Sequence, residues 1–568
     1  MNGYEKLENR LNQFPRIGTI ILSIWLLVNF AQAYFTELFH DEAYYWMYGQ
    51  HLDWGYFEHA PLIGLLIRAG GLLFSGEIGV RFLPVLLGAG TVWLTWKMTD
   101  QKNPVFFFTL VFSMIMVHVG GFLAVPDSPY IFFTALFLFQ YRRFLQESSL
   151  VNTLLLAGVV TLLVYSKYHG VMVLFFTLLS NWKLLRSWQF WLIVGISTLL
   201  FIPHLNWLVE NDFGTFRYHL LQRPRGHFPF ETFLNYLLGQ VLFAGPLVGI
   251  PVLLGGVLYR AENEFERTMK FVFIGITGFL LVFSINSWIE ANWAAGAYIP
   301  GMILAYQYLE RSPKGKRWVW RLAVPGAFLF VFLRVYLAFN IVPELRQFRR
   351  EFHGWDEWAQ EIAALAKGNP VVFTDTYQLP SKYAFYTGGK TTHALNTFTY
   401  HTNSYDLWGG EDKVRGKTVL YVSGSECTGC DSLFSRYGDR FYYRTEGNFQ
   451  VFRNLRIEAD TVAPVWPAGY FFRMKVKIFN DYDHPIKLND NPDIPIYLTS
   501  LFYEGKKFAR FDKNTTPLQG EIAPGEYVEA YIDMTTPEKP GDYRLILTLM
   551  YDWYYASVNG SWQEVEVR

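Results

Sequence analysis

Cysteine is almost absent. The 568 residues hold two, Cys427 and Cys430, as Cys-Thr-Gly-Cys. Without a second pair a four-thiolate zinc site is excluded, and the two sulfurs read as thiols or as one disulfide in a turn. An excess of charge is lacking too: Lys plus Arg number 49 and Asp plus Glu 49, for a net charge of zero. That excludes a strongly basic nucleic-acid binder. No Gly-x-x-x-x-Gly-Lys-Ser/Thr segment occurs, so P-loop nucleotide hydrolysis is not expected. A cleavable signal peptide is not expected either. Lys6, Arg10 and Arg16 lead into an apolar run to about Phe35, too long for a signal core and without a small-residue cleavage site. It reads as a signal anchor.

What the chain has is hydrophobic length. Half of it, 51%, is hydrophobic and 19% is aromatic, but the two halves differ. Residues 16–341 are apolar runs with short charged breaks, whereas residues 351–568 read as a soluble sequence rich in Asp, Lys, Tyr and Gly. A run near twenty apolar residues can cross a bilayer. About eleven such spans are expected, near 16–36, 78–98, 104–121, 129–142, 150–165, 170–182, 188–208, 233–258, 269–287, 292–309 and 318–341. Leu62–Phe74 is too short to span and is interrupted by Arg68, so it reads as an interfacial helix.

Sorting the breaks alternately separates their charge. One set holds Lys6, Arg10, Arg16, Lys97, Lys102, Arg142, Arg143, Lys183, Arg186, Arg260, Arg267, Lys270, Arg311, Lys314, Lys316, Arg317 and Arg321. The other holds Arg68, Lys167, Arg217, Arg223 and Arg225. The first set is the more basic and is expected in the cytoplasm. The odd number of spans then puts the C-terminal half outside. The same sorting puts the titratable residues that look out of place on the outer face: Asp41-Glu42, Glu58-His59, Asp127, Lys167, His219 and Glu290.

Charge beside hydrocarbon is costly and tends to be functional. Asp41 and Glu42 can serve as general base or metal ligand, or merely cap an external helix. Glu58 precedes the interfacial helix, where the helix dipole also favours an acid. Asp127 stands in Val-Pro-Asp-Ser-Pro, a turn in which Asp often caps the next helix. Lys167 reads equally as a membrane anchor or as the partner of a lipid phosphate. His219, Arg223, Arg225 and His227 share one loop, suited to a phosphate, a metal or anionic headgroups.

These blocks carry a resemblance. Phe-His-Asp-Glu after the first span, Tyr-Phe-Glu-His-Ala-Pro before an interfacial helix and Pro-Asp at the head of a later span resemble the GT-C membrane glycosyltransferases of the protein mannosyltransferase and aminoarabinose transferase type (glycosyltransferase family 39/83-like). The likeness covers roughly residues 15–345 and reaches into the soluble half through Asp375–Ser381 and Tyr405–Trp408. It implies a polyprenyl-phosphate sugar donor, a lipid, glycan or protein acceptor, and a bacterial inner-membrane enzyme working on the periplasmic side. By position it implies catalytic roles for Asp41, Glu42 and Asp127. It implies a donor-phosphate contact from His59 and a divalent metal held by Glu58 and His219; beside these, Lys167 with Arg223 or Arg225 is expected to hold the phosphate leaving group. The chain departs from the aminoarabinose branch at His59, where Lys is usual, and at Ala60, where Pro is usual.

The fold expected is therefore a polytopic α-helical membrane domain (1–345) followed by two soluble domains. Alternating strands and helices predict a small α/β domain over 346–456. Alternation and turns over 457–568 predict an immunoglobulin-like β-sandwich. The competing functional class is a lipid or sugar flippase or transporter. Such proteins place ionisable groups near the bilayer midplane, often in repeated halves, and no repeat is visible here.

Overall fold

A computed structural model describes residues 3–217, 230–285, 287–342, 346–397, 400–435, 439–459, 463–489, 492, 495–505, 507–551 and 559–568. The chain divides into two compact units, Met1–His353 and Gly354–Arg568.

The first unit is helical. In chain order it contains α1 (Gly3–Asn12), α2 (Ile17–Phe35), α3 (His40–Gln50), α4 (Leu62–Gly71), α5 (Gly76–Met98), α6 (Pro104–Val111), α7 (Ile115–Val119), α8 (Asp127–Gln146) and α9 (Leu150–Ser166). There follow α10 (Gly170–Ser180), α11 (Trp188–Glu210), α12 (Gly214–Arg217), α13 (Phe230–Ala244), α14 (Gly249–Leu258), α15 (Glu264–Phe283), α16 (Ala295–Arg311), α17 (Pro313–Phe339) and α18 (Arg346–Phe352). Among the described residues four helices, α2, α5, α11 and α17, are long and apolar enough to cross a membrane, or five if α13 and α14 form one bent span.

Two of the expected spans are broken. The run near 233–258 bends by 92° between α13 and α14. Gly245 takes φ 135° there, and Pro246 has no N–H to continue the ladder. The run near 104–121 splits into α6 and α7. Thr109 and Ser113 turn their hydroxyls back onto Val105 O and Thr109 O, at 2.8 and 2.7 Å, bonds that loosen a helix where they cluster.

The basic breaks start helices by capping them. Side chains of Asn103, Ser149, Ser187, Asn263 and Ser312 each accept from a backbone N–H in the first turn of α6, α9, α11, α15 and α17. Glu8 gathers this end of the bundle: it accepts from Lys316 Nζ at 2.5 Å, Asn103 Nδ2 at 2.6 Å and Trp320 Nε1 at 2.9 Å. At the opposite end α4 is pressed against the start of α5. A Cβ on Gly70 would stand 2.3 Å from Gly79 O, so only glycine allows that approach.

The second unit opens with α19 (Trp355–Ala366), β1 (Val371–Thr374), α20 (Gln378–Tyr386), β2 (Thr392–Leu395), β3 (Val419–Ser423), β4 (Asp431–Phe434) and β5 (Arg440–Glu446). These strands form one sheet in the order β2-β1-β3-β5-β4, parallel across β2-β1-β3 and antiparallel beyond. Ten strands follow: β6 (Leu455–Ala459), β7 (Val465–Trp466), β8 (Phe471–Asn480), β9 (Ile486–Lys487), β10 (Ile496–Glu504), β11 (Lys507–Lys513), β12 (Glu521–Ile522), β13 (Tyr527–Thr535), β14 (Gly541–Tyr551) and β15 (Gln563–Val567). They make a five-stranded sheet β11-β10-β14-β15-β7, a three-stranded sheet β13-β8-β6 and the pair β12-β9. Strand β8 alternates buried Met474, Val476 and Ile478 with half-buried Lys475 and Lys477, the period-2 pattern of a sheet with one wet face.

Two cores fill the unit. Trp358, Ile362 and Tyr383 of the helices pack on Val371, Phe373, Leu420 and Val422 of the first sheet; on the other side, Val372, Leu395 and Tyr421 of that sheet cluster with Val476, Phe502 and Leu547 of the later strands. A polar seam runs through it. Arg453 pairs with Asp406, Tyr482 donates to Glu411, and Arg415 donates to Glu411 at 3.0 Å. Cys427 and Cys430 are joined as a disulfide.

Buried in that seam, His393 is held down at about 3, first by desolvation and then by Arg453 and Arg415. As pH falls from about 6.5 toward 3, the unfolded chain takes up a proton that the folded chain refuses, so stability falls through that window. Burial raises Asp406 and Glu411. Their protonation in the folded state opposes this loss as pH falls. His393→Leu is expected to flatten the acid limb of the full chain's melting profile; a limb as steep as the wild type's would remove His393 from the account.

Candidate active site

The site begins where α2 ends. The chain passes Thr36–Leu38 and enters α3 with Asp41 and Glu42 in its first turn. Glu42 turns inward. Its Oε2 accepts from Phe39 N at 2.9 Å and Arg81 Nη2 at 2.5 Å; its Oε1 accepts from Arg81 Nε at 2.8 Å and Ala124 N at 2.7 Å. Arg81, near the start of α5, also donates to Ala33 O, Thr36 O and Glu37 O at 3.1, 2.5 and 2.9 Å. Both side chains are fully buried. Sequence reasoning gave Glu42 a catalytic role. In the structure each of its oxygens accepts two hydrogen bonds from within the protein. Asp41, beside it, is half-buried.

Helix α3 then lays tyrosines along Glu58-His59. Tyr44 and Tyr48 are one turn apart, so both hydroxyls reach Glu58: Tyr44 at 3.0 and 2.9 Å from its two oxygens, Tyr48 at 2.9 Å from Oε2. Tyr45 Oη meets His59 Nε2 at 3.1 Å. Tyr56 stacks on Tyr48 with ring centres 3.8 Å apart and donates to Tyr48 O at 2.9 Å. Burial pushes the Tyr56 phenol up, which keeps it a neutral donor.

The loop bearing Glu58 is pinned to the end of α11. Trp207 Nε1 donates to Asp53 Oδ2 at 2.9 Å. His204 Nδ1 lies 2.6 Å from Trp54 O and Nε2 lies 3.2 Å from Tyr168 Oη. A carbonyl only accepts, so Nδ1 carries the hydrogen and Nε2 accepts from the tyrosine. Next to Tyr168, Lys167 Nζ donates to Asp127 Oδ1 at 2.8 Å; Asn292 Nδ2, just before α16, donates to Asp127 Oδ2 at 3.0 Å.

These bonds close a circuit. From α3, Glu42 reaches Ala124 in the loop before Asp127, Asp127 reaches Lys167, Tyr168 reaches His204, and His204 reaches Trp54. The loop then leads to Glu58, which Tyr44 and Tyr48 tie back to α3. Asp41, Glu58, His59, Asp127 and Lys167 are thus carried by one hydrogen-bonded frame at one end of the bundle. Lys167, expected to hold a phosphate, has a carboxylate as its direct partner, which lowers its net pull on an anion. His219, Arg223 and Arg225 lie outside the described residues. Glu290 stands at the surface and accepts from Trp288 Nε1 at 2.6 Å. No three His, Cys, Asp or Glu side chains gather to hold a metal among the described residues.

Sequence reasoning missed Arg81, His204, Trp207 and Asn292. Arg81 was visible as a lone cation inside an apolar run. The four-residue spacing of Tyr44 and Tyr48 was a second signal.

Fold and site together define a class, and comparison with known proteins agrees. Residues 58–207 match the family model described as dolichyl-phosphate-mannose-protein mannosyltransferase. The lipid A galacturonosyltransferase RgtD of Rhizobium johnstonii is 25% identical over 401 residues, covering 66% of this chain and 83% of that protein. Crystal structures of ArnT from Cupriavidus metallidurans superpose on 75% of this chain in the apo state (TM-score 0.56, 12% identity, 97% of ArnT) and on 76% with undecaprenyl phosphate bound (TM-score 0.55, 13% identity, 98% of ArnT). The chain shares the membrane fold of ArnT, and these likenesses support a glycosyltransferase.

Glu42→Ala would leave Arg81 charged and buried, a change expected to cost about 3–5 kcal/mol. Glu42→Met with Arg81→Leu should lose less than the sum of the two single variants. Additive losses in detergent melting experiments would show that the two side chains act separately.

Proposed function

We propose that this enzyme transfers a sugar from a polyprenyl-phosphate donor to a hydroxyl or phosphate of a lipid acceptor, at the periplasmic face of the bacterial inner membrane. The observation that carries the reading is the closed frame around Asp41, Glu58 and Asp127. It holds a carboxylate in each of three separate segments at one end of the helices, the arrangement a displacement at an outer leaflet needs. RgtD is named for lipid A, and ArnT binds undecaprenyl phosphate. Both support a lipid acceptor and a lipid-carried donor. The basic breaks lie at the other end of the bundle, which supports a periplasmic site, with the apolar helices forming about eleven spans.

Asp41 takes the proton from the acceptor oxygen as that oxygen attacks the anomeric carbon. The bond from that carbon to the phosphate oxygen breaks, and polyprenyl phosphate leaves with the electron pair. One displacement inverts the anomeric centre. Asp127, anchored by Lys167 and Asn292, and Glu58, anchored by Tyr44 and Tyr48, orient the acceptor. His59 contacts the leaving phosphate, with Arg223 and Arg225 supplying the positive charge that Asp127 withdraws from Lys167. A divalent ion at Glu58 needs a further ligand from the segment that holds His219, and no step here passes through a metal. The frame sits at helix ends rather than at mid-span, which favours an enzyme over a flippase or transporter. The later β-strands of the second unit are read as an immunoglobulin-like accessory fold.

General-base catalysis is worth about 10²–10⁴-fold. Asp41→Asn, folded and melting like the wild type, is therefore expected to lose activity by that factor with purified polyprenyl-phosphate sugar and lipid acceptor. Undiminished transfer by that variant would sink the assignment.

A further inference from the structure

Across the Phe122 ring from Arg81, α17 carries Arg334, a cation with no carboxylate paired to it among the described residues. Arg334 Nε donates to His118 Nδ1 at 3.2 Å, and Nη2 donates to Asn29 Oδ1 at 2.8 Å. His118 Nε2 lies 2.9 Å from Phe112 O, so its hydrogen points there and Nδ1 is a neutral acceptor. Neither partner offsets the charge. The remaining donors are unused: Arg334 Nη1, Asn29 Nδ2 and Trp25 Nε1 are all buried without a hydrogen-bond partner. Asn29 must turn its oxygen to the guanidinium, which fixes its NH2 on the other side. Asn29 is fully buried and Trp25 is 6% exposed, so these are not solvated ends.

The donors are neighbours. Arg334 lies over the Trp25 ring at 4.8 Å. A Cβ on Gly121 would stand 2.7 Å from Val117 O, 3.1 Å from Asn29 Nδ2 and 3.2 Å from Trp25 Cζ2, so glycine lets the backbone pack directly against these side chains. Three orphaned donors and a positive charge offset only by the Trp25 and Phe122 ring faces define the missing piece by its chemistry: an acceptor carrying negative charge. Water supplies the acceptor but not the charge. Arg334 is half-buried, and Val331 and Val335 on the same helix are exposed, so the opening is sideways through the flank of the bundle. Arg334 stands about 8 Å along the axis from the end of α17, at 1.5 Å per residue, within reach of a headgroup.

We propose that Arg334, Asn29 and Trp25 form a binding site for one anionic phosphate-type oxygen, between α2, α7 and α17 and across the Phe122 ring from Arg81. A lipid headgroup and free inorganic phosphate share this chemistry.

Delipidated full-length protein in detergent, titrated with phosphatidylglycerol, phosphatidylcholine or inorganic phosphate, tests the site by melting temperature and by native mass spectrometry. Phosphatidylglycerol is expected to raise the melting temperature and remain bound. An equal effect of inorganic phosphate would assign the site to a free anion. Arg334→Met is expected to reduce retention about tenfold, the scale of one charge-assisted contact. If that variant does not fold, Asn29→Asp decides, because it supplies the negative charge internally. It should melt without anion as the wild type does with it, and should no longer respond. No anion effect on the wild type, or an unchanged response in Asn29→Asp, would overturn the proposal.

Discussion

The buried Glu42–Arg81 pair is the constraint on which the rest of the site depends. Two full charges out of water are expensive unless every lone pair and proton is used, and here they are. Glu42 accepts from three separate segments, and Arg81 ties the end of α2 to the start of α5 through carbonyls. Because one carboxylate serves α3, α5 and the loop before α8, none of the three can shift alone. Asp41 inherits that rigidity through its neighbour, and Asp127 inherits it through Ala124. Side chains held by such a frame lose little freedom when a substrate binds, which is what orientation in a displacement requires.

The bundle's two ends are built by different chemistry. At the basic end, short Ser and Asn residues start helices and Glu8 gathers Lys316, Asn103 and Trp320. At the other end, aromatic hydroxyls and ring nitrogens do the tying, through Tyr44, Tyr48, Tyr168, His204 and Trp207. Neutral donors can be buried at lower cost than charges, so they suit a pocket that must hold a few carboxylates without neutralising all of them.

Much of this was legible beforehand. Hydrophobic length located the long helices, and the Asp-Glu and Tyr-Phe-Glu blocks named two segments that the structure ties together through Tyr44, Tyr48 and Glu58. Side-chain choice between neighbours was not legible. Asp41 and Glu42 are adjacent and chemically alike, yet only Glu42 finds Arg81, 39 residues on. Lys167 read as a free cation because its partner lies 40 residues away. The break at Gly245-Pro246 was written in the sequence, but a kinked span and a bent pair share the same composition. In the second unit, period-2 runs revealed strands without revealing which sheet each would join.

The core that the first sheet shares with the later strands bears on how this protein can change. Residues from the first sheet and from the later strands interdigitate around Val372, Leu395, Val476 and Phe502, and Asn559 Nδ2 reaches back to Phe452 O and Leu455 O at 2.8 and 2.7 Å. A boundary drawn near residue 456 would cut through packed side chains rather than a linker. Trimming the β-rich tail there would uncover Val372, Leu395 and Tyr421 of the first sheet. Recombination inside it would leave two sticky halves, so this part of the chain is expected to be inherited whole.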